Sequence, residues 1–388
     1  MLNYLTAGES HGEMLLAIVE GLPYGLKLSL ENINKELERR QIGVGRGGRM
    51  KIEKDRAIIV SGVRNSITLG TPIGIIIKNK DWENWQNYMS PFSPPVDDSK
   101  EVYIARPGHA DLGGAIRNRD INIRNVIERS SARNTATRVA IGAISKQFLE
   151  YFNIKISSFV YRVGNAYINP EEINQILSNE EIDKNPVRAP YKEIGEKMKD
   201  IILKTKEKKD TIGGSFEVRI YNFPPGIGSY SEYYRRLTHF IASEVFGTQA
   251  FKSMEIGLGS ETSKYYGSQV HDQIYIEENG RIYRKTNNAG GIEGGISNSE
   301  VIRIKITMKP IPTLMQPLDT IDLKTKKMTK AHKERSDVCA IEAASVVGEN
   351  IIAIALAKAI LYEYGMPHIN DIKEAIDRLN SFKNIKNF

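Results

Sequence analysis

The sequence predicts an α+β protein in which two related halves are fused, with residues 1–388 forming a single domain. Three observations lead there. Strand-like stretches do not alternate cleanly with helical ones, which argues against a doubly wound parallel sheet. A strand–turn–helix plan occurs twice: Met14–Glu20 then Gly21-Leu22-Pro23-Tyr24-Gly25, and Phe216–Tyr221 then Asn222-Phe223-Pro224-Pro225-Gly226, each followed by a helical stretch. Arg335 to Tyr364 is so dense in alanine and isoleucine that a helix there would be apolar on most faces. Such a helix belongs in the middle of a structure or at a subunit interface.

The remaining elements follow from local pattern. Ser29 is suited to cap a helix running to about Gln41. Lys51–Val63 and Gly74–Ile77 are strand-like, and Lys155–Val163, Gly214–Tyr221 and Val301–Met308 read as further strands. Ser130–Phe152 and Ser231–Phe246 are expected to be helical, and Glu171–Lys209 a polar, lysine-rich helical layer. Lys80–Val102 holds both tryptophans and three prolines. It is a long loop, either a lid or an aromatic-pinned surface segment. Leu318–Glu334 is basic and poor in apolar residues, and is expected to be mobile. An amphipathic helix from about His368 to Phe382 closes the chain.

Composition narrows the function classes. With 40% apolar and 26% charged residues the chain is an ordinary globular protein, and its formal net charge of +7 suits anionic partners. A single cysteine, Cys339, excludes an intrachain disulfide and a cysteine-based zinc cluster. The six histidines are scattered and no H-E-x-x-H occurs, so no metal is expected. No signal peptide is evident at Met1–Gly12, and the apolar run Ile351–Ile360 contains Lys358 and is too short to span a bilayer. The expectation is a cytoplasmic protein without a membrane partner.

Arginine and lysine are segregated. Arg39, Arg40, Arg46 and Arg49 occur in a stretch without lysine, as do the seven arginines from Arg106 to Arg138. Solvated surface charge tolerates either residue, whereas a site that grips phosphate or carboxylate through paired N–H donors prefers the planar guanidinium. Both stretches are rich in glycine, which lets backbone approach a ligand. They read either as plain surface charge or as two walls of a pocket for a small, strongly anionic molecule.

Individual motifs fit the second reading. Gly43–Gly48 matches G-x-G-x-x-G, but a helix precedes it and a strand follows, so the dinucleotide fingerprint fails on context. What remains is a glycine loop presenting Arg46 and Arg49 beside Arg40. Gly8-Glu9-Ser10-His11-Gly12 places a histidine between small residues, where it either donates a proton to a leaving phosphate or caps local backbone. Arg106-Pro107-Gly108-His109-Ala110-Asp111 holds a second histidine in a rigid turn, with Asp111 placed to fix its tautomer. Arg129-Ser130-Ser131-Ala132-Arg133 is read as a helix start suited to an anion. Asn288–Ser297 is too glycine-rich for a regular core element, and Lys309–Thr313 is a stiff segment after a strand. Glu334-Arg335-Ser336-Asp337 is read as the opening of the long helix, with Asp337 at its positive end.

Taken together, and in this order along the chain, these motifs resemble the chorismate synthase family. The resemblance covers essentially the whole length. It implies a β-α-β sandwich of antiparallel sheets around central long helices, assembled as a homotetramer. It implies a lyase that converts 5-enolpyruvylshikimate 3-phosphate to chorismate and phosphate by anti-1,4-elimination, dependent on reduced FMN without net redox change. By the same resemblance, His11 would protonate the departing phosphate and His109 the reduced flavin, while Asp337 with Ser336 would assist removal of the C6 proton. Ser10, Arg40, Arg46, Arg49, Arg133 and Arg335 would hold substrate or nicotinamide-nucleotide anions. Ser131, Ala132, Arg133, Gln249, Ala250, Gly294, Lys309, Pro310, Ile311, Pro312, Thr313, Arg335 and Ser336 would line the FMN site. Gln249 stands where the family commonly has Asn. NADPH is a candidate reductant, and an external flavin reductase the expected alternative.

Two rival readings compete with this one. A nucleic-acid-binding protein would explain the charge, but the aromatics are not interleaved with the arginines as a stacking platform needs. A flavin oxidoreductase with net hydride transfer would use the same cofactor and consume NADPH stoichiometrically.

Overall fold

The structure, a computed structural model, describes residues 1–45, 54–173, 175–332 and 337–388. Its architecture is sheet, helix, helix, sheet. The first sheet is antiparallel, in the order Asn3–Ala7, Met14–Glu20, Ile73–Lys78, Ala57–Ile59. Alternation decides its faces: Leu15, Ala17 and Val19 are buried, while Leu16 and Ile18 are exposed. Ile73, Ile75 and Ile77 of the neighbouring strand are buried on the same side. The helix Thr135–Glu150 packs on that inner face.

The second sheet is also antiparallel, in the order Phe251–Ile256, Ile302–Met308, Gly214–Tyr221, Lys155–Val163, Ala166–Tyr167. The helix Ile341–Tyr364 packs on it and on Thr135–Glu150, so the two long helices form the central layer. The Gly214–Tyr221 strand is buried at every position. On the face away from the long helix, Arg219 pairs with Glu217 at 2.6 Å and donates to the carbonyls of Ile173 (2.5 Å) and Pro170 (2.9 Å). Glycine sets the closeness of the middle: a Cβ on Gly142 would overlap Asn350, and one on Gly348 would overlap the Phe216 ring.

The Ile341–Tyr364 helix is long and apolar enough to cross a membrane, but it is buried inside the fold. Its fully buried Glu349 accepts from Arg39 (2.9 Å), Lys146 (2.6 Å), Arg188 (2.8 Å), Ser158 (2.6 Å) and Asn179 (3.0 Å). Burial opposes its ionisation, but Arg39, Lys146 and Arg188 outweigh that and hold the carboxyl below the usual range. Arg39 is therefore a core residue, not part of a ligand wall.

Several elements differ from expectation. The long helix begins at Ile341, so Asp337 precedes it by a short non-helical link. The expected Ser130–Phe152 helix is broken at Ser131, which is extended (φ −64°, ψ 142°) between Arg124–Ser130 and a short turn Ala132–Asn134. Glu171–Lys209 is not one helix; Lys192–Glu207 is helical, and it buries Met198 and Ile202. The Ser231–Phe246 helix is confined to Leu237–Phe246. Within Asn288–Ser297, Ile292–Glu293 and Ile296–Ser297 pair as a hairpin. Within Leu318–Glu334, Asp319–Asp322 and Lys327–Lys330 do the same, docked on Tyr103–Ala105.

Candidate functional site

His11 lies in the turn between the first two strands. Gly8 makes that turn possible: its φ is +98°, and a Cβ there would overlap the Met14 carbonyl. Three bonds fasten the turn to the Arg124–Ser130 helix. The backbone N–H of Ser10 donates to the Glu128 carbonyl at 3.1 Å. The backbone N–H of His11 donates to Glu128 Oε2 at 2.7 Å, and the His11 Nδ1 lies 2.8 Å from Glu128 Oε1. Glu128 is fully buried. Burial opposes its ionisation, yet the His11 contacts and nearby Arg124 hold it below the usual carboxylate range. The indole of Trp85 stacks on the His11 ring, centroids 3.9 Å apart. The Lys80–Val102 loop thus covers His11 instead of lying idle on the surface.

His109 is held in the same way. Its Nδ1 lies 2.5 Å from Oδ1 of the buried Asp111. Arg106 donates to the same carboxylate through its backbone N–H (3.0 Å) and Nε (2.8 Å). Burial works against ionisation of Asp111, but the bonds from His109 and Arg106 prevail and keep its carboxyl far below the usual range. Gly108 supplies the positive φ (+78°) of this turn, beside Pro312 and Lys309, and the Lys309 ammonium donates to the Gly108 carbonyl.

Arg40 and Arg133 converge on buried Asp55. Arg40 donates to Asp55 Oδ2 at 3.2 Å, to Thr135 Oγ1 at 2.9 Å and to the Ala132 carbonyl at 3.1 Å. Arg133 reaches Asp55 Oδ1, and its Nε donates to Asn79 Oδ1 at 3.0 Å. Asn79 in turn donates to the carbonyls of Gly12 (2.7 Å) and Glu9 (3.2 Å), which ties the Arg133 region to the His11 turn.

A run of direct contacts joins the two histidine turns. Ser10 Oγ donates to Ser131 Oγ at 3.0 Å. Gln249 Nε2 donates to the Ser131 carbonyl at 3.2 Å. The next residue, Ala250, accepts from the backbone N–H of Lys309 at 3.0 Å. Lys309 then meets Gly108, and Arg106 reaches Thr313 Oγ1 at 3.5 Å. Ile311 is tied to Thr211 (2.7 Å) and Ile212 to Val338 (3.0 Å), which brings Asp337 to the same neighbourhood. Burial and nearby Lys252 pull the Lys309 ammonium below the usual lysine range.

Gly294 is placed differently. It occupies a hairpin turn with Gly295, at φ +60° and +91°. Among the described residues, the contacts of this turn are with Ser229, Arg236 and Leu237 rather than with Lys309–Thr313. Arg46, Arg49, Arg335 and Ser336 lie outside the described residues. Among those described, no group of acidic, histidine or cysteine side chains is arranged to hold a metal ion.

The family model for chorismate synthase matches residues 2–361. The chain belongs to the chorismate synthase family. It is 47% identical over 386 residues to the chorismate synthase of Aquifex aeolicus, covering 97% of this chain and 96% of that one. It is 48% identical over 381 residues to that of Geobacter sulfurreducens, with 96% and 97% covered. A crystal structure of chorismate synthase superposes with a TM-score of 0.79 at 39% identity, covering 98% of both chains. The chain is accordingly a lyase acting on a phosphate ester, and the chorismate synthase reaction is the anti-1,4-elimination of phosphate from 5-enolpyruvylshikimate 3-phosphate, dependent on reduced FMN.

Sequence reasoning missed Glu128, Asp55, Asn79 and the role of Trp85. Glu128 is 117 residues from His11, and Asp55 is 78 from Arg133. No local pattern signals such partners.

Proposed function

We propose that the wall from Ser10 to Asp111 is the active site, and that both histidines act there as proton carriers. The contact run Ser10–Ser131–Gln249, Ala250–Lys309–Gly108 carries this reading, because it joins both histidine turns to the arginine pair. Each histidine has Nδ1 on a buried carboxylate, which directs exchange with a ligand to Nε2; at His109 the Arg106 guanidinium also lies 3.4 Å from Nε2 and would have to give way or share it. His11 would give its proton to the departing phosphate. His109 would hold a proton toward the reduced cofactor. Asp337 would receive the proton from C6.

The donor set suits FMN. Ser131, Gln249, Ala250 and Lys309–Thr313 combine hydroxyl, amide and backbone groups along one continuous wall. A half-buried lysine depressed by desolvation and a second lysine gains most from a phosphate. When bound, the reduced flavin supplies transient electron donation that helps phosphate leave. On the family pattern Arg46, Arg49 and Arg335 would bind the substrate's phosphate and carboxylates, with Arg40 and Arg133 in support, their guanidiniums already balancing buried Asp55. Gly294 and Ser336 remain flavin-site proposals on the family pattern alone.

The electrons are proposed to come from outside, through a flavin reductase, with NADPH as the alternative reductant. Residues 1–388 act as one domain, a reading supported by a main buried core that runs from Leu2 to Ile376, with a small satellite cluster around Phe159 and Tyr161. The homotetramer is supported by the outward face of the first sheet. There Leu5 (75% exposed) pairs with Ile18 (53%), and Leu16 and Ile58 both pair with Ile76. A contiguous apolar stripe of this kind marks an interaction surface, which a second copy would cover. The setting is proposed to be cytoplasmic.

Anaerobic incubation with dithionite-reduced FMN and 5-enolpyruvylshikimate 3-phosphate tests the assignment. Phosphate and chorismate should form together without bulk flavin oxidation. His11→Ala and His109→Ala should each lower turnover on the order of 100-fold with the fold intact. Wild-type turnover in either variant removes the role given to that histidine.

A further inference from the structure

We propose that Glu128 and Trp85 are positioning residues for His11: the carboxylate fixes which ring nitrogen carries hydrogen, and the indole fixes the plane in which the other nitrogen is presented. This rests on His11 being the proton donor. Neither residue is assigned any part in the reaction by the motifs that define the site.

Three observations carry it. First, the carboxylate accepts at both oxygens, from the ring (2.8 Å) and from the backbone N–H of the same residue (2.7 Å). That geometry sets the ring's rotation as well as its tautomer, because an ionised carboxylate can only accept. Second, Glu128 is kept ionised and in place. It is fully buried, and Arg124 lies 3.3 Å away one helical turn before it. Third, the ring face is covered. Trp85 stacks at 3.9 Å with 28° between planes, and its own Nε1 donates to Asp81 Oδ2 at 3.0 Å. The Arg124 guanidinium (5.2 Å) and the Lys100 ammonium (4.8 Å) lie against the indole, and Arg124 Nε donates to the Lys100 carbonyl at 2.6 Å. The Lys80–Val102 loop and the Arg124–Ser130 helix are thereby pinned together around one imidazole. Among the described residues, the charged groups that contact the ring or the indole over it are Glu128, Arg124 and Lys100, with Asp81 holding the indole N–H.

In the proposed step the imidazolium gives its Nε2 hydrogen to a phosphate oxygen as the carbon–oxygen bond breaks. It keeps Nδ1–H on Glu128 throughout and regains the Nε2 proton from water. Glu128 gains no proton. A histidine freed from these contacts would turn its donor away and, once neutral, populate both tautomers, so the loss falls on kcat and not on KM.

The test uses full-length enzyme loaded with reduced FMN, with four variants: His11→Gln, Glu128→Gln, Trp85→Ala and Trp85→Phe. Nitrogen-15 spectra of histidine-labelled protein, with the His11 signal identified by its loss in His11→Gln, report the tautomer directly. Recorded at a pH high enough for the ring to be neutral, wild type should show Nδ1–H, and Glu128→Gln a mixture. Glu128→Gln and Trp85→Ala should each lower kcat about 10-fold or more with KM within about twofold, and Trp85→Phe should restore most of the loss. In the His11→Gln background neither substitution should lower kcat further. Lowered turnover in His11→Gln together with wild-type kcat in Glu128→Gln and Trp85→Ala overturns the positioning roles alone. Wild-type turnover in His11→Gln overturns the proton-donor reading and this proposal with it. An unchanged His11 tautomer in Glu128→Gln overturns the role of the carboxylate whatever the kinetics show.

Discussion

His109 Nδ1 lies 2.5 Å from Asp111 Oδ1, and Arg106 binds the same carboxylate through its main chain and its guanidinium. The arrangement orients the imidazole and neutralises the buried acid in one short turn. Asp111→Asn keeps the size but supplies only one acceptor, so the ring is free to flip. Turnover should fall on the order of 100-fold, with the fold retained by circular dichroism. Turnover within twofold of wild type would show that Asp111 only closes the turn.

Acid should unfold this protein through its paired carboxylates. Asp111, Glu128, Glu244 and Glu349 are all held below their ordinary range. A depressed folded value adds stability that is fully present above the unfolded value, about 4. It is lost as pH falls from there through the folded values. Denaturant midpoints should therefore be flat from pH 7 to about 5 and drop below about pH 4. Asp111→Asn should flatten part of that drop.

Glu349 should be the costliest single charge to delete. Glu349→Leu leaves Arg39, Lys146 and Arg188 buried without their shared acceptor. The expected loss is about 3–5 kcal/mol in equilibrium unfolding. A loss under about 1 kcal/mol would mean that water or Glu36 takes over.

Gly142→Ala should be strongly destabilising although alanine is the better helix former. The added methyl would overlap the Asn350 side chain and carbonyl where the two central helices cross. Its helix propensity gain is about 1 kcal/mol, and overpacking at a rigid crossing costs more, about 1–3 kcal/mol. A rise in melting temperature would show that the helices can separate at little cost.

Cys339 should be silent. It is fully buried, and burial with Glu342 nearby pushes the thiol far above its ordinary value. Thiol reagents should label it only at the rate of unfolding.

The α+β class, the central apolar helix and both histidine turns were legible because each rests on local pattern. Met14–Glu20 alternates, Gly8 and Gly108 stand where φ must be positive, and Ile341–Tyr364 is apolar on nearly every face. Arginine segregation was a partial guide. Arg40 and Arg133 do meet, but Arg39 turns into the core to neutralise Glu349, and Arg138 joins two helices through Glu244. Composition cannot separate a guanidinium that binds ligand from one that balances a buried acid.

What the order of residues determined by itself was the fold class, several of the main strands and helices, the turns that carry His11 and His109, and the family motifs. What the tertiary structure alone decided was their partners: Glu128 beneath His11, Asp55 between two arginines, Trp85 over an imidazole, and a hairpin where basic composition suggested a mobile segment. The reason is physical. Dihedral preference and side-chain periodicity act over a few residues and are written in sequence, whereas a carboxylate finds its cation through packing between segments tens to hundreds of residues apart.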